Sequence, residues 1–174
     1  MGRVGQGWDI HRLVAGRPLR LGGLEIPHER GLLGHSDGDA VLHAVTDALL
    51  GALAAGDIGQ HFPDTDPRYR GADSAVLLAA VVQMVAARRQ RVGNVDVTVL
   101  AERPKLAPFV PAMRARLAAL LGVDEACVSI KAKTMEGLGA IGAGEAIGAL
   151  AVVLLEAARR GGLTPAAPAR RSGR

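Results

Sequence analysis

The fold turns on "EAIGALAVVLLEAA", residues 145–158. Its alanines favour a helix, while its Ile/Val run favours a strand buried on both faces, so periodicity alone leaves both readings open. The neighbouring segments are clearer. "NVDVTVLAE" (94–102) alternates with period two and is β-branched, which predicts a strand. "CVSIKAKT" (127–134) reads as another strand, and "PFVPAMRARLAALLG" (108–122) as a helix stopped by Gly122. Towards the N-terminus, "ADSAVLLAAVVQMVAARRQ" (72–90) is a helix capped by Asp73 or Ser74, its final arginines suiting the C-terminal dipole. "SDGDAVLHAVTDALLGALAA" (36–55) is a further helix, with Ser36 or Asp37 as N-cap. "GDIGQHFPDTDPRYRG" (56–71) is too rich in Gly, Pro and Asp for regular structure, and so long a loop in a compact domain is functional or disordered. "RPLRLGGLEIP" (17–27) predicts a hairpin turning at Gly22-Gly23, and residues 2–8 a first strand. Mixed strands and helices indicate one α/β or α+β layered domain over 1–160, followed by a disordered tail, 161–174.

The chain is 49% hydrophobic but has only four large aromatic residues, Trp8, Phe62, Tyr69 and Phe109. Its core must therefore be built from Ala, Val, Leu and Ile. The net charge of +4 rests largely on Arg170, Arg171 and Arg174 in a tail without acids. A nearly neutral body with a basic tail argues against a nucleic-acid partner, which needs a clustered basic face. Cys127, the single cysteine, cannot form an intramolecular disulfide and reads as a buried small hydrophobe. Arg3, Gln6 and Asp9 interrupt any leader pattern, and the apolar run Ala146 to Leu155 is too short to cross a bilayer. A soluble cytoplasmic protein with no membrane partner is the expectation.

"GWDIHRL" (7–13) places Asp9 and His11 on one face of a strand, with Ile10 turned the other way, into the core. Taken alone, the pair reads as the polar face of an edge strand. The helix at 36–55 carries Asp39, His43 and Asp47 at i, i+4 and i+8, along one face. A catalytic zinc site needs three protein ligands and an open position. Asp9 and His11 supply two and His43 is the central candidate for the third, while Asp47 could orient a ligating imidazole or a substrate hydroxyl. "FPDTDP" (62–67) presents carboxylates suited to sugar hydroxyls or a metal. "KAKTMEG" (131–137) offers Lys131, Lys133 and Thr134 to phosphate, and Glu136 to a hard cation such as Mg²⁺. Either lysine reads equally as part of a solvated strand edge. "GLGAIG" (137–142) matches G-x-G-x-x-G, but too little chain follows for a βαβ unit, so its glycines serve a tight turn or a close chain approach.

Taken together, "GWDIH", "GLLGHSDGDAVLHAVTDALLGA", "GDIGQHFPDTDPRYRGADS", "GNVDVTVLAERPKL" and "KAKTMEGLG" resemble the 2-C-methyl-D-erythritol 2,4-cyclodiphosphate synthase family over residues 2–158, in order and spacing. The resemblance implies a two-layer α+β sandwich. A four-stranded mixed sheet carries helices on one face and turns the other to a homotrimer axis, which makes 145–158 a strand. It implies conversion of 4-diphosphocytidyl-2-C-methyl-D-erythritol 2-phosphate to the 2,4-cyclodiphosphate with release of CMP, a step of the non-mevalonate isoprenoid pathway, at sites between subunits. Carried over position by position, Asp9, His11 and His43 hold Zn²⁺, and Glu136 a second ion, Mg²⁺ or Mn²⁺. His35 and Thr134 stabilise the transition state. Ser36, Asp47, Asp57, Ile58, Gly59, Phe62, Pro63, Asp64, Thr65 and Asp66 meet the methylerythritol phosphate. Ala101, Glu102, Arg103, Pro104, Lys105, Leu106 and Ala107, with Lys133 and Met135, form the cytidine and diphosphate side.

The chain departs from the family pattern at Trp8 (usually Phe or Tyr) and Lys133 (commonly Thr). Ala140 and Ala143 stand where an aromatic and an arginine are usual, at substrate-contacting positions beside the axial cavity. Losing a bidentate anion binder there argues against an isoprenoid diphosphate in the axis. Two other readings fit the same residues: a metal-dependent phosphohydrolase using water, and an inactive metal-binding trimer.

Overall fold

The computed structural model describes residues 2–158; the tail expected at 161–174 lies outside the described residues. Residues Ala146–Ala157 are a strand, β7, at the centre of the main sheet. Ile147, Ala149, Ala151, Val153 and Leu155 are fully buried, whereas Val152 on the other face is 40% exposed. Both edges of β7 are paired, by β1 (Arg3–Ala15) and by β5 (Gln90–Leu100), each antiparallel. Pairing along both edges is what overrides the helical preference of its alanines.

Among the described residues the sheet has five strands, not the four expected: with β4 (Arg30–Leu32) and β6 (Val128–Lys133) the order is β4-β1-β7-β5-β6. β6 (Val128–Lys133) runs parallel to β5 after a crossover through α4 (Val110–Leu121), which ends on Gly122 as expected. The extra strand is β4 (Arg30–Leu32). It forms because β1 runs past its partner: residues 3–12 pair with β7, and Leu13–Ala15 then pair with β4. β1 is thus far longer than the 2–8 read from the sequence, since its polar residues continue a ladder rather than opening a loop. Likewise β5 starts at Gln90 rather than 94, because a bulge at Gly93 breaks the alternation while the pairing continues. The hairpin β2 (Leu19–Leu21) and β3 (Leu24–Ile26) turns at Gly22-Gly23 as expected.

Among the described residues, the three long helices cover one face. α1 (Ala40–Ala52) lies on β1 and β7, α3 (Ser74–Ala87) beside it, and α4 against β6. α1 packs on bare backbone: a Cβ added at Gly5 or Gly7 would lie 1.9 Å from the carbonyl oxygen of Ala48 or Ala44. This direct contact lets a chain almost without aromatics build a tight core. The cap of α1 is Asp39, not Ser36 or Asp37; its carboxylate accepts from the Val41 and Leu42 amides. α3 is capped by Asp73.

The 56–71 segment contains more regular structure than its composition suggests, with α2 (Ile58–His61) and a 3₁₀ turn at Pro67–Tyr69, each started by an Asp cap. "GLGAIG" forms a tight turn into α5 (Gly139–Gly142); a Cβ on Gly142 would lie 2.2 Å from the Gly137 carbonyl carbon.

The opposite face of the sheet carries Val4, Trp8, Ile10 and Val152, all exposed. Ile10 is therefore not in the core, as expected from sequence, but 45% exposed. The three long helices occupy the face shared by Asp9 and His11, so strand alternation sends Ile10 to the other, where Ile141 of α5 lies near Gly148 and Trp8. Cys127 is half-buried rather than buried, because it ends a 3₁₀ turn at the rim of the sheet. Among the described residues, no helix is long and apolar enough to cross a membrane.

Candidate metal centre

Asp9 and His11 project from β1 towards α1, and the helix seated on Gly5 and Gly7 brings His43 down to meet them. The Asp9 Oδ2, His11 Nε2 and His43 Nδ1 atoms form a near-equilateral triangle with sides of 2.8, 2.9 and 3.0 Å. His11 Nδ1–H donates to the Leu33 carbonyl at 2.7 Å, which leaves the Nε2 lone pair facing the Asp9 carboxylate. Electron pairs that converge so closely need a proton or a cation among them. Burial works against ionisation of Asp9, but a proton on the adjoining His11 or His43 imidazole outweighs it and holds the carboxyl well below the usual range. Burial likewise opposes charging of His11, and the Asp9 carboxylate overrides it, raising the imidazole pKa. Two imidazoles and one carboxylate at this spacing could hold a metal ion, a donor set of the kind zinc takes.

A cleft of about 420 Å³ is lined by the three ligands with His35, Ser36, Ile58, Gly59, Phe62, Pro63 and Asp64. Tyr69 and Leu77 also line it, and the sequence reading missed both. Tyr69 stacks edge-on against Phe62, with ring centroids 5.4 Å apart. Asp57, Thr65 and Asp66 fall outside the wall: Asp57 caps α2 by accepting from Gln60 N at 2.9 Å, and Asp66 caps the next turn and pairs with Arg68. The Asp66 carbonyl instead meets His35 Nε2 at 3.3 Å. Hydrogen bonds from Arg68 hold the Asp66 carboxyl below its usual range.

The polar stripe on α1 divides by role. Only His43 reaches the ligand triangle. Asp39 is fully buried, and its carboxylate accepts from Gly22 N at 2.9 Å and Gly23 N at 2.7 Å, clipping the hairpin to the helix. Asp47 orients no imidazole: it accepts from Ile58 N at 2.7 Å and so anchors α2. Burial raises the Asp47 pKa against that amide. The partners of His43 are hydroxyls, with Ser74 Oγ 2.9 Å and Ser36 Oγ 3.0 Å from Nε2. Ser74 was legible only as a cap candidate, because 31 positions separate it from His43.

The remaining predicted residues gather elsewhere. Glu102, Arg103, Pro104, Lys105 and Thr134 line a cleft of about 490 Å³ with His28, which the sequence reading also missed. Ala101, Leu106, Ala107 and Lys133 line a shallower one beside it. The Thr134 hydroxyl donates to Glu136 at 2.7 Å, and Met135 N to Glu102 at 3.3 Å. Lys131 leaves the phosphate element: its ammonium is held by Asp96 at 2.6 Å. Ala140 and Ala143 are exposed on α5 and its cap. Across the sheet, Asp9 aligns with Ala149, Val99 and Ala132 in turn. The two clusters thus stand three strand spacings apart, roughly 14 Å.

A family model described as the YgbB family matches residues 2–156. The 2-C-methyl-D-erythritol 2,4-cyclodiphosphate synthase of Dechloromonas aromatica (strain RCB) is 64% identical over 154 residues, 88% of this chain and 96% of its own length. The synthase of the same name from Geobacter sulfurreducens is 58% identical, over 88% of this chain and 98% of its own. A solved structure of 2C-methyl-D-erythritol-2,4-cyclodiphosphate synthase in a CDP-bound form superposes with a TM-score of 0.82 at 46% identity, covering 88% of this chain and all of that one. With the fold, the ligand triangle and these relatives in agreement over the same residues, the chain belongs to the YgbB family.

Proposed function

We propose that the chain is a cyclodiphosphate synthase that converts 4-diphosphocytidyl-2-C-methyl-D-erythritol 2-phosphate to 2-C-methyl-D-erythritol 2,4-cyclodiphosphate and CMP, in the non-mevalonate isoprenoid pathway, at a zinc site between subunits. The observation that carries this reading is the convergence of Asp9, His11 and His43 in the wall of a cleft in a chain of this family. The substrate supplies its own nucleophile. An oxygen of its 2-phosphate attacks the β-phosphorus, the bridging bond to the α-phosphate breaks, and CMP leaves with the electron pair. A phosphate is already ionised near neutral pH, so no strong general base is required, and the protein's work is positioning and charge neutralisation. When bound, zinc polarises the β-phosphate and offsets the repulsion between the two anionic groups. Asp9, His11 and His43 hold it. Glu136, beside the Thr134 hydroxyl, suits a second hard cation, Mg²⁺ or Mn²⁺.

His35 and Ser36 receive the erythritol phosphate end, and the wall from Ile58 to Asp64 excludes water from the sugar. Residues 101–107 receive cytidine; the CDP-bound form of a solved relative supports a cytidine nucleotide as the ligand. Within one chain that stretch stands roughly 14 Å from the triangle across the sheet, and we infer that the two meet one substrate from neighbouring subunits. The exposed apolar residues on the other face of the sheet support this: three chains pack these faces about an axis, and one subunit's triangle meets its neighbour's Thr134 cluster.

The deciding measurement supplies purified protein, Zn²⁺ and Mg²⁺ with the cytidine-diphosphate substrate and follows phosphorus NMR. The cyclic diphosphate and CMP are expected. A linear product would identify a hydrolase, and absence of CMP an inactive metal-binding protein; either would overturn the reading.

A further inference from the structure

We propose that Ser74 and Asp37 form a positioning relay that sets which nitrogen His43 offers to the metal. The inference rests on the reading of Asp9, His11 and His43 as a zinc site. Ser74 is the first residue of α3, yet its hydroxyl does not cap that helix, which Asp73 does. It is 1% exposed and points inward, with His43 Nε2 at 2.9 Å on one side and the Asp37 Oδ1 atom in hydrogen-bond contact on the other. An ionised carboxylate only accepts, so the single Ser74 proton goes to Asp37. Ser74 can then offer His43 nothing but a lone pair. His43 Nε2 must carry the imidazole proton, which leaves the Nδ1 lone pair to face Asp9 and His11.

The direction of this chain is held at its far end. Asp37 Oδ2 accepts from the Ser74 amide at 3.2 Å, Oδ1 accepts from the Asp39 amide at 3.2 Å, and the Asp37 amide donates to the Ala72 carbonyl at 3.0 Å. Ser36 Oγ also lies near His43 Nε2, but it accepts from Gly38 N at 3.2 Å and its own proton can go to Ser74 Oγ at 3.4 Å or to His43, so it accommodates either tautomer. The bias comes from Ser74. It also ties the start of α3 to the imidazole of His43. Metal-bound histidines usually give their second nitrogen to a carboxylate or carbonyl; here a buried hydroxyl stands between the imidazole and the carboxylate.

The test measures zinc affinity of the full chain by competition with a chromophoric chelator. Ser74→Ala is expected to weaken zinc binding by about 10- to 100-fold, the range for outer partners of metal ligands. Ser74→Thr, which retains the hydroxyl, is expected to restore most of the loss, which a merely structural role would not reproduce. In the zinc-loaded wild type, nitrogen–proton NMR should show the His43 proton on Nε2, protected from solvent exchange, and that protection should vanish in Ser74→Ala. Unchanged zinc affinity in Ser74→Ala overturns the relay, and so does a wild-type His43 carrying its proton on Nδ1. The latter needs no variant and decides the matter even if Ser74→Ala does not fold. His43→Ala separates the two readings: if it keeps zinc, the triangle is not the site, and if it loses zinc while Ser74→Ala does not, only the relay fails.

Discussion

At the scale of single residues, the site depends on three side chains that would repel or protonate one another without a cation. His43→Ala removes one corner of the triangle and is expected to lose stoichiometric zinc, measured by atomic absorption. Turnover should fall by more than about 100-fold, beyond what outer partners cost, while the far-ultraviolet spectrum is unchanged. The acid–base balance gives a second expectation with a definite sign. In metal-free protein the His11 pKa is raised from 6.5 by Asp9. The stability this pair contributes is therefore complete below pH 6.5 and declines as pH rises through the raised folded value. Zinc needs the unprotonated ligand, so the loaded protein should show the opposite trend. Thermal midpoints measured across this window, with chelator and with zinc, would test the reversal; parallel curves would contradict it.

At the scale of elements, the metal centre is a by-product of how closely α1 sits on β1. Gly5 and Gly7 leave no room for a side chain beneath Ala44 and Ala48. Gly7→Ala would drive a methyl into the Ala44 carbonyl and is expected to cost about 3 kcal/mol in urea unfolding, the upper part of the overpacking range. Zinc affinity should fall with it, because His43 rides on the displaced helix while Asp9 and His11 stay on the strand. An alanine variant with unchanged stability would show that the helix does not bear on the strand in this way. The same scale shows where sequence reading succeeds and fails. The alternation in 94–102 and the Gly22-Gly23 turn were legible because strand and hairpin signals are local. The full length of β1 and the existence of β4 were not, because each is defined by a partner strand distant in sequence.

For the whole molecule, the separated clusters and the exposed apolar residues of the sheet are the grounds for the proposed assembly of active sites between subunits. Val152 lies on the central strand and is 40% exposed in the single chain. Val152→Asp is expected to convert a trimer to monomers in sedimentation velocity, with turnover lost and zinc retained at the triangle. A wild-type monomer with full activity would refute inter-subunit sites. Mixing is a complementary test: inactive His43→Ala and inactive Thr134→Ala, refolded together, should regain part of the activity, because some interfaces then join an intact triangle to an intact Thr134 cluster. Pure subunits of either kind should regain none.

The sequence by itself determined the layered α+β class and the helices at 72–90 and 108–122, and it offered Asp9, His11 and His43 as candidate ligands. Strand alternation and helical spacing already put those side chains on defined faces. Only the tertiary structure decided that the strand and the helix meet at about 3 Å between ligand atoms. It alone decided that Asp39 and Asp47 serve the backbone rather than the metal, that Ile10 faces outward, and that Ser74 stands behind His43. The physical reason is the same in each case. Spacing along a chain fixes which residues share a face, but which neighbour a face meets depends on packing between segments far apart in sequence, and that contact decides whether a polar side chain caps, coordinates or positions.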